Sequence, residues 1–454
     1  MKTYERVIRD KLLSLCGHLI DERQHGFMLN KSCCTQLVNF CDSLALSLNE
    51  NIQTNVIYFD FQKAFDSVNH DIILEKLKFQ YKIDGRLLRF FVNYLQGRSQ
   101  RVVIGSENSS DQIVFSGVPQ GSIVGPTLFV LFINDITQQI SPGTNIALYA
   151  DDTKIWRKIR SSDDHWILQN DINNLLSWAK KNKMTFHPDK SKVLPVSNSQ
   201  DPEDLIIYTL ASKPIKYTSC EKDLGINTVP KLSWTEHTNI LYSRANQRLG
   251  MIKRNCSFVS NVSKRKTLYL SQIRSQFEHC PIIWRPSSKT SVDKLESVQK
   301  KGFKWILQTY SSFSSTVYYY HTCKQLNILP ISIRFDLKDM TYFHSIFYGL
   351  SVVKFPSYLS RFSSSNLRHC HLDSLSMQSS IHPKVPQNLE VETSYTGIAK
   401  SFFYRAHCAW NKLPFEIRKI ELPIPFKKAI IDHLWKEALL IVTLPSDLID
   451  ELDG

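Results

Sequence analysis

The chain has 454 residues, which is enough for two to four packed domains at roughly 150 residues each. Hydrophobic residues make up 42% of the chain and aromatic residues 11%, proportions that exclude a largely disordered protein. The formal net charge is +14. Because each neutralised phosphate releases counterions, this excess predicts a polyanionic partner, nucleic acid first and an anionic membrane surface second. The candidate contact clusters are Lys264-Arg265-Lys266 and Lys300-Lys301 with Lys304.

Redox and targeting signals predict an intracellular protein, in the nucleus or the cytoplasm, that is not secreted. The ten cysteines contain no C-x-x-C pair, which argues against a zinc ribbon or a disulfide framework. We interpret His369-Cys370-His371 as a surface coincidence, because neighbours in sequence rarely converge on one metal ion. The N-terminal "MKTYERVIRDKLL" is charged, unlike a signal peptide. The uncharged stretch 112–134 is interrupted by Pro119 and Pro126, so we expect no membrane span.

The predicted elements alternate between helices and strands over the first ninety or so residues. Apolar residues at helical spacing predict amphipathic helices in 7–19 and 37–48, and "NVIYFDF" (55–61) predicts a strand buried on both faces. Helices follow in "HDIILEKLKF" and "GRLLRFFVNYL", then a strand pair in "RVVIGS" and "DQIVF", the helix "TLFVLFINDI", and the strands "NIALYA" and "TKIW". Ser162 is expected to cap the next helix, and amphipathic helices follow the polar stretch 195–235.

Three carboxylates stand where these apolar runs end. Asp60 closes the strand "NVIYFDF", and Asp151-Asp152 lie at the turn between "NIALYA" and "TKIW". Asp60 could be an ordinary strand-end residue, and Asp is favoured in hairpin turns, so either site alone is more simply explained by local structure. If the strands are neighbours, however, the acids meet at one edge of a sheet. Buried carboxylates need neutralisation, and two Mg²⁺ ions would supply it while serving phosphoryl transfer.

Three segments in order resemble motifs A, B and C of reverse transcriptases, specifically those of jockey-like, non-LTR (LINE-type) retrotransposons. They are "YFDFQKAFDSVNHDIILEKL", "SGVPQGSIVGPTLFVLFINDI" and "LYADDTKIW", and weaker similarity extends to about residue 310. The resemblance implies an α+β fold: a right-hand polymerase palm with an antiparallel sheet and partial fingers in residues 1–200, motif E and a helical thumb in 201–310, and a mostly helical C-terminal region of unknown role in 311–454.

The resemblance also implies roles for individual residues. Asp60 and Asp151 would be the principal metal ligands and Asp152 the weaker one, with two Mg²⁺ ions, or Mn²⁺ in their place, and a backbone carbonyl from Phe61. Phe65, five residues after Asp60, matches the residue that excludes ribonucleotides by a clash at the sugar, although ordinary core packing would also explain it. Asp66 is read as a helix cap whose mutation should mainly impair folding.

The segment "GVPQGS" would form part of the nucleotide site. Gln120 offers a donor and an acceptor beside an incoming nucleotide, Gly121 permits a backbone conformation that side chains forbid, and the following helix N-terminus suits a phosphate. Lys190 in "HPDKSK" matches a lysine that would protonate departing pyrophosphate, although a solvated lysine is nearly as good an interpretation.

The resemblance begins part-way into the fingers, which implies an N-terminally truncated polymerase without an endonuclease domain and with few triphosphate-binding cations. The predicted function is an RNA-directed DNA polymerase acting on dNTPs, an RNA template and a DNA primer or RNA/DNA hybrid. The alternatives are a relic that binds RNA or DNA without polymerising and a metal-dependent nuclease. The nuclease would share the acids but would have no use for Phe65 or Gln120.

Overall fold

The computed structural model describes residues 2–199, 206–309, 313, 315–361, 389–391 and 401–443, so His369-Cys370-His371 lies outside the described residues. The chain divides into two compact units. The first contains residues 1–40, 50–221 and 229–231, and the second contains residues 41–49, 222–228 and 232–454. The functional boundaries after residues 200 and 310 remain predictions.

The first unit is a mixed α+β structure. Its helices are α1 (Lys2–Cys16), the first part of α2 (Cys33–Asn49), α3 (His70–Phe79), α4 (Gly85–Leu95), α5 (Val124–Ile133) and α6 (Ser162–Lys181), with 3₁₀ turns at Gly17–Leu19, Ala64–Ser67 and Asn134–Gln139. Its strands are β1 (Gln53–Phe59), β2 (Ser99–Gln100), β3 (Val103–Ile104), β4 (Glu107–Asn108), β5 (Gln112–Ile113), β6 (Thr144–Tyr149), β7 (Asp152–Ile159), β8 (Lys192–Val196), β9 (Thr209–Leu210), β10 (Lys213–Pro214) and β11 (Lys216–Tyr217).

One five-stranded sheet organises this unit, in the order β11-β8-β1-β7-β6. β1 is the central strand and pairs antiparallel with both β7 and β8, while β11 joins β8 in parallel. Val56 and Ile57 of β1 are fully buried, as expected for a strand covered on both faces. The predicted α+β fold with an antiparallel palm sheet is confirmed.

Helix α5 lies in the core of the unit. It is apolar on all sides, and its Leu128, Phe129, Leu131 and Phe132 are fully buried. A helix that is hydrophobic all round has no face for water, so it is stable only when other elements enclose it. This explains the uncharged stretch that could be mistaken for a membrane segment. No helix in the described part of the chain has both the length and the apolar character needed to cross a bilayer.

Two local predictions were wrong. Helix α6 is capped by Ser161 rather than Ser162, because Ser161 and Asp164 form a reciprocal capping box with the backbone of the first turn. The strands predicted in "RVVIGS" and "DQIVF" shrink to the two-residue pairs β3–β4 and β2–β5. Val103 and Ile104 are 59% and 76% exposed, so no second layer covers these strands and stabilises a longer ladder.

The second unit is mostly helical, as predicted for the thumb and the C-terminal region. Its elements are β13 (Ile226–Thr228), α7 (Thr235–Asn255), α8 (Val262–Gln272), a 3₁₀ turn (Arg274–Phe277), α9 (Pro281–Trp284), α10 (Lys289–Leu307), α11 (Thr316–Leu326), α12 (Ile331–Phe347), β14 (Leu359–Arg361), β15 (Leu389–Val391), α13 (Phe402–Lys412), α14 (Phe415–Arg418) and α15 (Pro423–Thr443); β12 (Glu221–Asp223) lies at the junction of the units. Helix α10 packs against α7, α8 and α12, and α12 packs against α13 and α15.

A buried polar network joins the helices of the second unit. The Gln299 side chain accepts hydrogen bonds from Arg274 (2.6 Å) and Tyr269 (3.3 Å) and donates one to Tyr319 (2.8 Å). Asp339 of α12 is 1% exposed and pairs with Arg285 (2.9 Å) and Arg405 (2.8 Å). Because each buried polar group has a partner, the network fixes the relative positions of the helices that it joins.

Candidate active site

The sheet register places the predicted acids at one edge. Phe59 at the end of β1 pairs with Thr153 of β7, so continuing the antiparallel register by one residue brings Asp60 beside Asp152. Tyr149 pairs with Asp152 across β6 and β7, which leaves Ala150 and Asp151 as a two-residue hairpin turn. Acids about ninety residues apart in sequence therefore meet because β1 and β7 are neighbours, as the sequence predicted.

Asp151, like Asp60, is half-buried. Burial raises the pKa of its carboxyl above the usual value, a hydrogen bond from its own backbone amide lowers it, and the negative charge of Asp60 raises it again. Asp60 and Asp151 are thus close enough to repel each other. Asp152 begins β7 and is exposed. A cation placed between Asp60 and Asp151 would remove an unfavourable interaction.

The backbone around Phe61 supports the predicted carbonyl role. Phe61 lies opposite Phe186 in an antiparallel bridge, and the flanking residues make the hydrogen bonds of that bridge: His187 N–H donates to the Asp60 carbonyl (2.7 Å), and Gln62 N–H donates to the Thr185 carbonyl (2.9 Å). Backbone groups alternate in direction along a strand, so the Phe61 carbonyl is directed away from this bridge, towards the side on which β7 begins. The Phe61 ring stacks on Phe186 at 4.3 Å.

Lys190 lies next to the first acid. Its Nζ is 3.4 Å from Oδ2 of Asp60, with the two side chains 63% and 40% exposed. A pair so open to water contributes little to stability. The pair matters for the position that it gives Lys190. Its ammonium group lies beside the carboxylates but is not buried there.

Phe65 is fixed by other aromatic rings. It stacks on the buried Phe129 with ring centroids 4.4 Å apart and meets Phe27 edge to face at 6.1 Å. The side chain is half-buried, so the ring serves both as packing for α5 and as a wall at the surface. The contact with Phe129 fits the packing interpretation, and the exclusion of ribonucleotides by Phe65 stays a prediction.

The expectation for Asp66 was wrong. Helix α3 is capped by Asn69, whose side chain accepts the Ile72 N–H at 3.1 Å. The exposed carboxylate of Asp66 instead accepts a hydrogen bond from the side-chain amide of Gln120 at 2.9 Å. Asp66 therefore orients the amide that the sequence assigned to nucleotide binding. A cap was the simpler guess because Asn69 and Asp66 both precede the helix and both residue types cap well.

The loop before α5 corrects a second expectation. Gly121 has the predicted left-handed backbone (φ 77°). The helix start, however, is already occupied, because Ile123 N–H donates to Glu5 Oε2 at 2.6 Å and Gly125 N–H donates to Ser122 Oγ at 2.9 Å. Glu5 is 7% exposed, and its carboxylate would repel a phosphate at this helix start. The loop can still present Gln120, but the helix N-terminus is not a phosphate site.

Two positioning contacts around the Asp151 turn were missed by sequence reasoning. The buried Gln24 side chain accepts the backbone N–H of Ala150, and Lys31 donates to the carbonyls of Glu22 (2.7 Å) and Gln24 (3.0 Å). No pattern of apolar residues could have found these contacts, since they join the N-terminal segment to itself and to a turn more than a hundred residues away. Lys31 therefore supports the backbone of this N-terminal segment.

The acids fit a divalent cation by their chemistry. Within the described part of the chain, no group of three or more His, Cys, Asp or Glu side chains is arranged to hold a metal ion. Asp60 and Asp151 nevertheless offer hard oxygen donors, and their mutual repulsion favours a cation over the bare pair. A site of two carboxylates, completed by substrate phosphates and water, is the usual way in which proteins hold Mg²⁺.

The basic clusters of the second unit separate into exposed and buried cations. Arg265 is 3% exposed, and its guanidinium donates to the Trp305 carbonyl (2.7 Å), so its assignment as a nucleic-acid contact was wrong. Lys301 and Lys264 are exposed, while Lys266, Lys300 and Lys304 are half-buried. Burial lowers the pKa of Lys253 on α7, and so do the charges of Lys301 and Lys304, which places these three cations together on one surface of α7 and α10.

The sheet, the acids at its edge and the loop before α5 define a polymerase palm. Residues 1–221 match the family model described as reverse transcriptase (RNA-dependent DNA polymerase). Residues 1–221 are thus similar to reverse transcriptases, and the resemblance to polymerases of jockey-like non-LTR retrotransposons is confirmed.

Similar proteins come from mobile elements. The chain is 23% identical over 322 residues to the probable RNA-directed DNA polymerase from transposon X-element of Drosophila melanogaster, an alignment that covers 68% of this chain and 35% of that protein. It is 31% identical over 254 residues to the RNA-directed DNA polymerase from mobile element jockey of the same organism, covering 53% and 27%. The chain thus spans about a third of the length of these curated relatives, 35% of the first and 27% of the second.

Similarity to solved structures extends to telomerases. Apo telomerase from Candida tropicalis matches with a TM-score of 0.41 and 10% identity over 72% of this chain and 54% of that chain. Telomerase from Candida albicans in complex with a fragment of telomeric RNA matches with a TM-score of 0.35 and 11% identity over 70% and 53%.

Proposed function

We propose that this chain is an RNA-directed DNA polymerase that extends a primer 3′-hydroxyl with dNTPs on an RNA template. The observation that carries the proposal is the antiparallel pairing of β7 with β1 and β6, which brings Asp60 and the Asp151 turn to one edge of the palm sheet. The match of residues 1–221 to the reverse transcriptase model supports a dependence on divalent metal, and the oxygen donors favour Mg²⁺, with Mn²⁺ as a substitute. Two bound ions would stabilise the charge that develops on the transferred phosphoryl group.

The chain's own residues would orient the reactants. The primer 3′-oxygen forms a bond to the α-phosphorus of the dNTP, the bond from that phosphorus to the bridging oxygen breaks, and pyrophosphate leaves. Asp60, Asp151 and the Phe61 carbonyl would hold the metal ions, with Asp152 as a weaker ligand. Lys190 would give a proton to the leaving pyrophosphate, and the 3.4 Å distance from its Nζ to Asp60 supports this role.

Other residues of the chain would recognise the substrate and the template. Phe65 would close the site against a ribose 2′-hydroxyl, and Gln120, oriented by Asp66, would hydrogen-bond to the nucleotide or the template. Lysines of α8 and α10 would contact the phosphates of a template–primer duplex, with Lys264, Lys266, Lys300, Lys301 and Lys304 as the candidates. Such a polymerase would act inside the cell, where its RNA template is found.

Binding and extension assays on one preparation of the chain separate the proposal from its alternatives. We expect radiolabelled dTTP to be incorporated on poly(rA)–oligo(dT) with Mg²⁺ or Mn²⁺ and not with EDTA. Template–primer binding without extension would identify a binding-only relic. Cleavage of the nucleic acid without dNTPs would instead identify a nuclease.

Replacing Asp66 should impair nucleotide use more than folding. In Asp66→Ala the Gln120 amide loses its exposed partner, so we expect a several-fold higher KM for dNTP and a stability change within about 1 kcal/mol. Asp66→Asn keeps an acceptor oxygen and should lie closer to the wild type. Steady-state incorporation and thermal denaturation of the same preparations give both quantities.

Asn69→Ala is the matched control for this prediction. It removes the observed cap of α3 and should cost about 1 kcal/mol of stability while leaving the KM for dNTP unchanged. If Asp66→Ala lowered the melting temperature as much as Asn69→Ala and left the KM unaltered, Asp66 would be structural after all.

A further inference from the structure

The turn that carries Asp151 has a backbone that its own sequence does not favour. Ala150 has a positive φ of 57°, in the left-handed region that glycine usually occupies. An L-residue with a Cβ pays about 1–2 kcal/mol for this conformation. Since a two-residue hairpin with Ala in this position is not stable by itself, contacts from elsewhere must hold the turn and thereby the Asp151 carboxylate.

The N-terminal segment 23–26 supplies these contacts. It runs alongside the end of β6, where Leu148 N–H donates to the Arg23 carbonyl at 3.1 Å and His25 N–H donates to the Leu148 carbonyl at 2.9 Å. Gln24 and Leu148 form a parallel bridge, and β6 is the last strand of the sheet on this side. The segment therefore extends the sheet edge just before the turn.

The Gln24 side chain connects this segment to the turn. Its Oε1 accepts the backbone N–H of Ala150 at 3.0 Å and the backbone N–H of Gly26 at 2.8 Å. Gln24 is fully buried, and its Nε2 has no hydrogen-bond partner among the described residues. Burying an amide nitrogen without a hydrogen bond is unfavourable. We therefore infer that a glutamine is present here for its oxygen, which accepts two hydrogen bonds.

Gly26 permits the close approach that this geometry needs. A Cβ at this residue would overlap the backbone nitrogen of Ala150 and lie 2.8 Å from the carbonyl carbon of Tyr149. Both neighbours are backbone atoms of the turn, which cannot rotate away as a side chain can. Any residue other than glycine would therefore displace Ala150 and, with it, Asp151.

We propose that Gln24 and Gly26 are positioning residues that set the Asp151 carboxylate for divalent-metal binding. The proposal rests on the function proposed above, because it gives these residues a role through the metal ligand and not through contact with substrate. Without the Gln24 oxygen, two buried N–H groups lose their partner and the left-handed turn loses its support. A metal site requires its ligands within about 0.5 Å of the productive geometry, so a relaxed turn binds metal more weakly.

The test compares Gln24→Met with Gln36→Met in the full chain. Gln36 lies on α2, is also buried at 2% exposure, and has a side-chain oxygen without a partner among the described residues. Each substitution replaces a buried glutamine amide with an apolar side chain. Only Gln24→Met also removes a hydrogen bond that supports the turn at Ala150. Mg²⁺ titration of primer extension then gives the half-saturating metal concentration for each variant.

For Gln24→Met we expect a half-saturating Mg²⁺ concentration about tenfold higher than in the wild type, equivalent to about 1.4 kcal/mol, with template–primer affinity unchanged. Gln36→Met should retain the wild-type metal dependence. Gly26→Ala should shift the metal dependence in the same direction as Gln24→Met. Equal shifts in Gln24→Met and Gln36→Met, or no shift in Gln24→Met, would overturn the proposal.

A second measurement works without turnover. Mn²⁺ binding to each variant, followed by electron paramagnetic resonance, reports the metal site itself. Weaker Mn²⁺ binding in Gln24→Met than in Gln36→Met supports the positioning role even if the wild type incorporates no dNTP, an outcome that would contradict only the polymerase function. Equal Mn²⁺ affinity in both variants contradicts the positioning role even if the wild type polymerises.

Discussion

Asp151→Asn should abolish dNTP incorporation and leave a folded protein. The amide cannot supply the charge that holds a divalent cation, and losing several kcal/mol of transition-state stabilisation lowers the rate by roughly a thousandfold or more. The variant should still bind template–primer, because the candidate lysines of α8 and α10 are unchanged. Incorporation of radiolabelled dNTP, measured beside template–primer binding, checks both expectations.

The same substitution should raise stability when divalent metal is absent. The pKa of Asp151 is raised by burial and by Asp60, so the folded state favours the neutral carboxyl. The protonated Asp151 carboxyl therefore stabilises the folded state. This stabilisation is fully present at pH values below the ordinary carboxyl pKa, and it is lost as the pH rises through the raised pKa of Asp151. Asp151→Asn should therefore melt above the wild type in EDTA at neutral pH, and the difference should shrink at acidic pH.

Added Mg²⁺ should make the wild type melt at a higher temperature than Asp151→Asn. Metal that binds only the folded state raises the melting temperature of the wild type and leaves the variant unchanged. Asp111→Asn is the control, because Asp111 is an exposed acid outside the candidate site and should give wild-type incorporation and melting. Incorporation by Asp151→Asn at the wild-type rate would contradict the assignment of the acid.

Phe65→Val should weaken discrimination against ribonucleotides. The ring is held between Phe129 and Phe27, so it cannot swing away from a ribose 2′-hydroxyl. Removing most of the ring opens space for that hydroxyl, and we expect the preference for dNTP over rNTP to fall about tenfold to a hundredfold. The ratio of kcat/KM for dTTP and UTP on poly(rA)–oligo(dT) measures the preference directly.

Phe65→Tyr is the matched variant, since it keeps a ring of the same width and should keep the discrimination. Phe65→Val also loses apolar contact with Phe129, which we expect to cost about 1–2 kcal/mol because the side chain is only half-buried. If Phe65→Val lost this stability but kept the dTTP to UTP ratio of the wild type, Phe65 would be a packing residue alone.

The central features of the palm could be predicted because they depend on local patterns. The apolar run before Asp60 predicts a buried strand, and the pair Asp151-Asp152 between two apolar runs predicts a hairpin turn. Antiparallel pairing of β1 with β7 then determines where both acids lie. The resemblance to reverse transcriptases added the roles of these residues, which spacing alone left open.

The supporting polar contacts could not be predicted from patterns of this kind. Glu5 meets Ile123 across 118 residues, Gln24 meets Ala150 across 126, and Asp66 meets Gln120 across 54. A carboxylate or amide can serve many partners, and only the packed fold selects one. From the sequence we expected Asp66 to cap α3, but Asn69 is the cap. We also expected the start of α5 to suit a phosphate, but Glu5 is bound there.

Charge clusters in the sequence carry the same ambiguity. Arg265 stands between two lysines, yet its guanidinium is buried and donates to backbone carbonyls. On a helix, neighbouring residues point in different directions, so one member of a basic run can face the core while the next faces water. Helical position, more than the number of cations, decides which of them can meet a phosphate.

Anomalous diffraction at the manganese edge, from crystals of the chain with template–primer, a dNTP and Mn²⁺, tests the central claim most directly. We predict a manganese peak within coordination distance of carboxylate oxygens from both Asp60 and Asp151. A peak bound by only one of these acids, or manganese found elsewhere in the first unit, would contradict the claim that the two acids share a metal ion.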